Sequence, residues 1–520
     1  MKIAVLGRDG PVARATRARV VREGHACASD GAECAIYFPG SMAELESIVV
    51  GRQTARLVLR SHAFAYGSSP KNPGMMTEER VSLLPEKAPE RVWLELEAAA
   101  ARHSSFAAVR LASVLSEEEN DPVVRQLART TGVALAGRDP NLQFLSVEDA
   151  ASALVAAATS KARGIFNVAA PGSIPLKAAF RAAGTRRVPL PKQLARFLGD
   201  GGLSRQIEYN WTVSTQRAFR ELGWEASQST TESLAEFALR KRGARPDILE
   251  KPFDDWGLDV NYIRAWSAWF WFLRKVYWRI ECEGMEEIPQ TGRALFVSNH
   301  RGFMPLDAVM HVSLIQAHRG RIPRFLIIHS LLRMPFLSNF LTKLGGVIAS
   351  QDNAARLFEA ENLVGIFPEG IRGAFTPYRD TYRLRDFSKS GFAKVAIENQ
   401  APIVPAAVVG HSEIFPIIGR IDSSYLTRTW GWPYLPIAPM FPIAPVPLPS
   451  KWHVRVLRAV GLEGLRPSDA ANARLVREFS LHIQNLLQSN IDEMLTRRKR
   501  VFWGSIFDSA PLAKSKSGGA

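Results

Sequence analysis

The stretch Ala294-Leu295-Phe296-Val297-Ser298-Asn299-His300-Arg301-Gly302-Phe303-Met304-Pro305, followed by Asp307, decides the fold of the C-terminal half. Its first five residues are apolar or small, which predicts a buried strand that ends at a turn carrying His300. An imidazole and a nearby carboxylate are the groups that a general base and its orienting partner require. One such spacing is a weak signal by itself, because a single histidine is more often structural.

A second strand-to-turn block strengthens the first. The apolar run Leu363-Val364-Gly365-Ile366 precedes Phe367-Pro368-Glu369-Gly370-Ile371-Arg372. Glu369 is predicted either to bond acceptor hydroxyls or to order the turn, and the guanidinium of Arg372 is suited to a phosphate or carboxylate. Lys389 extends this candidate anion site. The two turns together predict an enzyme that deprotonates a hydroxyl and holds an anion.

In order along the chain, these blocks resemble those of the glycerolipid acyltransferase family, over about residues 262–500. Three further blocks carry the resemblance: Gly345-Gly346-Val347-Ile348, Lys389-Ser390-Gly391 and Ala401-Pro402-Ile403-Val404-Pro405. Two features depart from the family pattern. The spacing from His300 to Asp307 is longer than the commonest one, and Ala349-Ser350-Gln351 lacks the arginine usual in phosphatidate-forming members. Lysophosphatidate, diacylglycerol and other alcohols therefore all stay open as acceptors.

The resemblance implies direct transfer of an acyl chain from acyl-CoA or acyl-carrier protein to a glycerolipid or another lipid alcohol. His300 would be the general base and Asp307 the residue that orients it. The implied substrate-binding residues are Phe367, Pro368, Glu369, Gly370, Arg372 and Lys389. Neither a metal site nor a cofactor is expected for this transfer. His329 and His411 are interpreted as structural.

The N-terminal half alternates short apolar runs with alanine-rich segments, which predicts a parallel α/β sheet. The clearest strands are Lys2–Leu6, Cys34–Phe38, Leu57–Leu59 and Ala107–Leu111. Gly7, Gly10 and Ala13 follow the first strand at the spacing of a dinucleotide turn, in which backbone N–H groups approach a pyrophosphate.

Over about residues 1–235 this half resembles the extended short-chain dehydrogenase family of NAD-dependent epimerases. The resemblance implies NAD(P) contacts at Gly7, Gly10, Ala13 and Asp30. The catalytic Tyr-x-x-x-Lys of that family is missing between Glu90 and Glu97, and the stretch after Asp30 is short. We therefore predict a Rossmann-like domain without catalysis. A membrane-anchored NAD(P)-dependent reductase or epimerase, and a dinucleotide-sensing scaffold, are the alternatives.

These patterns predict an α/β protein of two domains. The Rossmann-like domain spans 1–240, a polar, proline-interrupted linker 241–258, the acyltransferase-like domain 259–500 and a tail 501–520. The net charge of +16 calls for an anionic partner. No nucleic-acid-binding motif accompanies it, so an anionic membrane surface and a phosphorylated acyl donor are favoured over nucleic acid.

Two segments predict peripheral attachment to the cytoplasmic face of a membrane. Tyr262–Ile280 is rich in tryptophan, and Arg497–Trp503 joins four cations to aromatic residues. The longest uncharged stretch, 429–450, contains seven prolines and therefore is not predicted to form a spanning helix. Three cysteines without paired spacing indicate a reducing compartment.

Overall fold

The computed structural model describes residues 1–28, 30–51, 54–197, 201–243, 254–389, 391–443 and 446–507. The chain divides into two compact units. The first contains residues 1–260 together with 332–343, and the second contains 261–331 and 344–520. The sequence had assigned 332–343 to the C-terminal domain. Most of the predicted linker, 244–253, and the end of the predicted tail, 508–520, lie outside the described residues.

The first unit is built on a six-stranded sheet in which all pairings are parallel. Its strands are β1 (Lys2–Gly7), β2 (Ala26–Cys27), β3 (Cys34–Phe38), β4 (Arg56–His62), β5 (Phe106–Leu111) and β6 (Gly164–Val168), in the order β6-β5-β4-β3-β1-β2. The order reverses between β1 and β3, which in open α/β sheets is where ligands bind. The predicted Rossmann-like α/β fold is confirmed.

Helices flank this sheet because their alanine-rich faces pack on the buried strands; β3, for example, is at most 6% exposed along its length. Local signals set several helix starts: Asp121 caps one helix, and Ser229 with Glu232 forms a capping box on another. The helices are Pro11–Arg22, Met42–Gly51, Val92–Ala100, Pro122–Ala128, Val147–Thr159, Leu176–Ala182, Lys192–Phe197, Gly201–Gln206, Thr230–Arg242 and Pro335–Lys343.

Three short two-stranded pairs complete the first unit. They are Ser113–Val114 with Phe144–Leu145, Thr131–Leu135 with Arg186–Leu190, and Asn141–Leu142 with Ile174–Pro175.

The second unit contains a seven-stranded mixed sheet. Its strands are β7 (Glu281–Glu283), β8 (Ala294–Ser298), β9 (Arg324–Ile327), β10 (Val347–Ile348), β11 (Leu363–Ile366), β12 (Ile403–Val409) and β13 (His453–Val456), in the order β7-β13-β12-β8-β11-β9-β10. Only β12 and β13 pair antiparallel within it. Strand β8 lies between β11 and β12 and is parallel to both, so the carboxyl ends of the strands that carry the two sequence blocks meet at one edge.

Helices cover the second sheet, and a small hairpin (Gly419–Ile421 with Leu435–Ile437) stands apart from it. The helices are Val260–Phe272, Leu306–Arg319, His329–Leu332, Gln351–Glu359, Gly370–Ala374, Phe392–Glu398, Ser424–Trp430 and Ala473–Arg497. The predicted tail begins inside this fold, because Lys451 N–H donates to the carbonyl of Val501 at 3.0 Å and Ser505 bonds Glu281 at 2.6 Å. Within the described residues, no helix combines the length and apolarity needed to cross a bilayer.

Candidate active site

His300 lies in the turn after β8, and Asp307 lies in the first turn of the helix that follows. The structure places His300 Nδ1 2.5 Å from Asp307 Oδ2. Gly302 makes this turn possible with a φ of +83°, a conformation that a side chain would strain. The turn brings the two side chains together although six residues separate them. His300 keeps 15% of its side chain exposed, while Asp307 is 1% exposed.

Asp307 is held as a carboxylate by its surroundings. Burial acts to raise its pKa, but the charge and hydrogen bond of His300 outweigh burial and lower the pKa below its usual value. Its Oδ1 accepts from Ala308 N–H at 2.8 Å, and its Oδ2 accepts from Arg301 N–H at 3.3 Å. An ionised Asp307 accepts a hydrogen bond from Nδ1–H, so the Nε2 of a neutral His300 has a free lone pair. That nitrogen is the one available to act as a base.

Glu369 lies at the centre of a buried hydrogen-bond network. Both of its oxygens accept from Arg301 Nη1 at 2.7 Å, and both side chains are at most 2% exposed. Glu369 also accepts from His300 N–H at 3.1 Å and from Arg385 N–H at 2.8 Å. Of the two predicted roles for Glu369, this geometry favours ordering of the turn.

Arg301 was missed as a site residue by the sequence reasoning. Beyond Glu369, its guanidinium donates to the carbonyl of Arg383 at 2.8 Å and to that of Thr381. It therefore connects the His300 turn, the Glu369 turn and the 381–385 loop. Two features of the sequence could have indicated its role. Arg301 directly follows His300, and Glu369 is the only acidic residue in the block Phe367–Arg372.

The other predicted substrate-binding residues occupy different environments. The ring of Phe367 stacks on the imidazole of His300, with centroids 4.6 Å apart and planes inclined by 19°. Pro368 is buried, Gly370 takes a φ of +52° at the start of a helix, and Arg372 is exposed. The backbone of Lys389 ends a 3-10 turn, but its side chain lies outside the described residues.

An apolar cavity of about 210 Å³ opens beside His300. Its walls come from the turn after β8, from β9 and from the short helix after Glu369. The lining residues are His300, Phe303, Pro305, Ala308, Phe325, Leu326, Ile327, Ile328, Ser330, Leu331, Ala349, Ile366, Phe367, Gly370, Ile371, Ala374, Phe375 and Trp432. A mainly apolar cavity with an imidazole at its edge is suited to an apolar chain that carries a reactive head group.

Two further histidines lie behind the pair. Burial lowers the pKa of His311 to about 4 and that of His411 to about 3, so both are neutral near pH 7. His411 Nε2 accepts from the amide of Asn299 at 3.4 Å, and Asn299 also bonds Val408 in the neighbouring strand. This arrangement agrees with the structural role predicted for His411.

In the first unit, a cavity of about 330 Å³ lies at the point where the strand order reverses, and Gly10 and Ala13 line it. Asp30 lies elsewhere. Its loop is anchored near the start of β1, because Ala28 N–H donates to Ile3 and Glu33 N–H to Lys2. Ile3 and Gly7 are four positions apart along the strand, or roughly 13 Å. The structure therefore does not bring Asp30 to the Gly7–Gly10 turn.

The turn itself is a poor pyrophosphate site. Pro11 at the first helical position has no N–H to donate, and the exposed carboxylate of Asp9 lies in the turn, paired with Arg17 at 2.5 Å. In the epimerase family, the Tyr-x-x-x-Lys pair would fall on the helix Val92–Ala100. This chain instead has Trp93 and Glu97, which lie one helical turn apart. Glu97 is buried in an ion pair with Arg110 at 2.6 Å. The residues present do not fit a dinucleotide or hydride transfer.

Comparison with known proteins identifies a family model that matches in the C-terminal half, and several relatives of this chain. A family model described as Acyltransferase matches residues 279–409. An uncharacterized protein of Mycobacterium leprae is 32% identical over 301 residues, covering 56% of this chain and 79% of that protein. A Bos taurus protein named as a DGAT1/2-independent enzyme synthesizing storage lipids is 30% identical over 190 residues, covering 36% of this chain and 54% of that protein.

Among solved structures, a UDP-N-acetylglucosamine 4-epimerase from Bacillus cereus matches 47% of this chain and 100% of its own. The identity is 16% and the TM-score is 0.35, values too low to support an argument about function.

The buried ion pair generates a stability prediction. Glu369→Gln keeps the side-chain shape but leaves Arg301 without its charge partner. We expect the free energy of unfolding of the C-terminal unit to fall by about 3–5 kcal/mol, as is usual when one member of a buried pair is removed. Chemical denaturation followed by tryptophan fluorescence measures the change.

The matched control is Glu478→Gln, which removes the exposed partner of Arg474, 2.8 Å away. This variant should unfold like the wild type. Equal stability of the two variants would show that the Glu369–Arg301 pair does not hold the turns together.

Proposed function

We propose, from the premise that this chain belongs to the acyltransferase family, that it transfers an acyl chain from acyl-CoA or acyl-carrier protein to the hydroxyl of a glycerolipid or another lipid alcohol. The observation that carries the proposal is the 2.5 Å contact between His300 and Asp307 at the edge of an apolar cavity.

In the proposed mechanism, His300 Nε2 accepts the proton of the acceptor hydroxyl as its oxygen attacks the thioester carbonyl. Asp307 fixes the tautomer and stabilises the imidazolium that forms. The tetrahedral intermediate then collapses, the carbon–sulfur bond breaks, and the thiolate takes the proton from His300. The ester and the free thiol are the products. Phe367 supports this step because its ring covers one face of the imidazole.

The cavity supplies the binding energy for the acyl chain. Each methylene moved from water into such a cavity contributes about 0.8 kcal/mol, so even a short chain would be held firmly. The thioester carbonyl would then lie beside His300 at the cavity edge. Arg372 is exposed and follows Ile371, which lines the cavity. These two observations support the proposal that its guanidinium binds a phosphate of the donor.

We favour a neutral acceptor such as diacylglycerol over lysophosphatidate. The stretch Ala349-Ser350-Gln351 lacks the arginine that phosphatidate-forming relatives usually carry there, and Ala349 lines the apolar cavity. A phosphate placed there would be buried without a cation, which is costly. The Bos taurus relative is also named for storage lipids. Assays of the purified protein with each acceptor, and with each thioester donor, separate these possibilities by the mass of the product.

We further propose that the first unit performs no nicotinamide chemistry. The Trp93 and Glu97 positions offer no proton donor of the tyrosine type, and Asp9 and Pro11 oppose a pyrophosphate at the Gly7–Gly10 turn. The alternative of a reductase or epimerase therefore has no support from the arrangement of these side chains.

Peripheral membrane attachment is proposed on the exposed tryptophans of the second unit. Trp269, Trp271 and Trp503 are 51%, 55% and 64% exposed, which is unusual for residues of this size. Arg279 connects the two segments, because its guanidinium lies 4.8 Å from the Trp503 ring and donates to the carbonyl of Phe502 at 2.9 Å. Aromatic rings beside cations are suited to the headgroup region of an anionic membrane.

Several residues of the two predicted membrane-binding segments are buried and do not belong to this surface. Within the tryptophan-rich segment Tyr262–Ile280, Leu273 and Ile280 are each 6% exposed, and Trp278 is fully buried. These residues pack inside their own unit. Arg498, one of the four clustered cations, is also buried, where it donates to Glu413 at 2.6 Å. We define the membrane surface by the residues that remain exposed: Trp266, Trp269, Trp271, Phe502, Trp503, Arg497, Lys499 and Arg500.

For catalysis, we expect His300→Ala to lower acyl transfer by about a hundredfold to ten-thousandfold, the usual cost of losing a positioned general base. Asp307→Asn should also lower it severely, because the amide no longer stabilises an imidazolium. The measurement is formation of labelled lipid from acyl-CoA by folded protein. His482→Ala, which changes an exposed histidine of the same unit, is the control and should retain full activity. Wild-type rates in His300→Ala would remove His300 from the mechanism.

For the first unit, we expect the full-length protein to show no saturable binding of NADH or NADPH up to about 1 mM, which corresponds to roughly 4 kcal/mol of binding free energy. Nucleotide fluorescence and calorimetry measure the binding, and absorbance at 340 nm measures turnover. Micromolar affinity, or steady oxidation of either nucleotide, would contradict the proposal.

For the membrane, we expect the wild type to float with anionic liposomes and to be partly released by high salt, because salt screens only the charged contribution. Trp269→Ser with Trp271→Ser and Trp503→Ser should leave most of the protein in solution. The control, Val81→Ser with Phe219→Ser, removes exposed apolar side chains of the first unit and should float normally. Equal flotation of both multiple variants would reject this surface as the attachment site.

A further inference from the structure

Residues 332–343 separate two strands of the acyltransferase sheet, β9 and β10, yet they belong to the first compact unit. This segment contains the nine-residue helix Pro335–Lys343. It also lies inside the stretch 279–409 that the Acyltransferase family model matches. The chain therefore leaves the second unit after Leu331, packs in the first, and returns at Leu344. We infer that residues 137–139 of the first unit are an intramolecular binding site for this segment.

Gly137 provides the close approach at the start of the helix. It has a φ of +72°, and a Cβ atom there would lie 2.8 Å from Pro335 Cβ and 2.9 Å from Phe336 N. Those distances are shorter than non-bonded atoms tolerate, so any side chain at 137 would push the helix away. Gly257 does the same near the other end, where a Cβ atom would lie 2.5 Å from Thr342 Cγ2.

Arg138 satisfies the backbone that precedes the helix. Its guanidinium donates to the carbonyl of Leu332 at 2.5 Å and to that of Arg333 at 2.7 Å. It also donates to Ser338 Oγ at 3.1 Å and lies 4.5 Å from the Tyr209 ring. Arg138 is 6% exposed, so these contacts are made away from water, where losing one is costly.

Asp139 holds the end of the helix. Its carboxylate lies 2.7 Å from Lys343 Nζ, and the two side chains are 2% and 9% exposed. Asp259 N–H donates to the carbonyl of Lys343 at 3.1 Å. Three successive residues thus contact one nine-residue helix. Gly137 packs against its start, Arg138 bonds the turn before it, and Asp139 pairs with Lys343 at its end. This combination of steric, hydrogen-bond and charge matching is what distinguishes a binding site from chance packing.

The consequence concerns the acyl cavity. Ser330 and Leu331, which line that cavity, are covalently joined to the anchored Leu332. Holding Leu332 and Arg333 limits the positions that this cavity wall adopts. The first unit then has a function that needs neither a nucleotide nor a catalytic pair: it orders part of the acyltransferase. This last step rests on the proposed function, whereas the binding site itself does not.

Hydrogen exchange measured on the full-length protein tests the binding site directly. In Lys343→Met and in Gly137→Val, we expect the amides of 335–343 to exchange at least about tenfold faster than in the wild type, because local opening becomes easier. Peptides from β1 to β5 should exchange as before. The control Glu46→Gln removes the exposed partner of Arg102, 2.9 Å away in the same unit, and should change nothing.

Unchanged exchange of 335–343 in Lys343→Met would overturn the inference, and this variant suffices even if Gly137→Val fails to fold.

Acyl transfer is measured separately. We expect kcat/KM to fall about tenfold in Lys343→Met while His300 and Asp307 are intact. Faster exchange of the segment with full acyl transfer would leave the binding site standing and reject its effect on the cavity. Absence of acyl transfer in the wild type would instead refute the proposed function, while the exchange result stays valid.

Discussion

The buried ion pair between Arg301 and Glu369 is the interaction on which the active site depends. It connects the turn after β8 to the turn after β11, and Glu369 also accepts from the backbone of His300. Two charges removed from water are favourable only when every polar atom is matched, and here the arginine also bonds two carbonyls of the 381–385 region. The position of His300 is therefore set by a network of buried protein groups.

His300 lies at the border between two environments. On one side are the charged network and Asp307, which fix the ring and its tautomer. On the other side are Phe367 and the apolar cavity. In the proposed reaction, a base at such a border would meet the hydroxyl and the thioester where water is largely excluded, and this exclusion would strengthen the electrostatic interactions that stabilise charge in the transition state. The same separation explains why Glu369, although part of a recognisable sequence block, is buried.

The first unit combines the sheet of a nucleotide-binding type of fold with a first turn whose residues do not fit a pyrophosphate. The sheet and its reversal point are present, but Asp30 lies near the start of β1 and the first helix begins with Pro11. The contacts of 137–139 with the 332–343 segment give this unit a role of a different kind.

The sequence by itself determined the two α/β domains and the strands that end before His300 and Phe367, because hydrophobic runs and turn residues act locally. It also predicted His300 and Asp307 as a pair, and the structure brings these two side chains together. Tertiary structure decided what depends on distant partners. Arg301 finds Glu369 68 positions away, Arg498 is buried by Glu413, and residues 332–343 pack on 137–139 across nearly 200 positions. A local sequence pattern does not predict such pairings. Each of them forms only in the folded chain, where a buried charge or carbonyl lies within reach of a side chain that is distant in sequence.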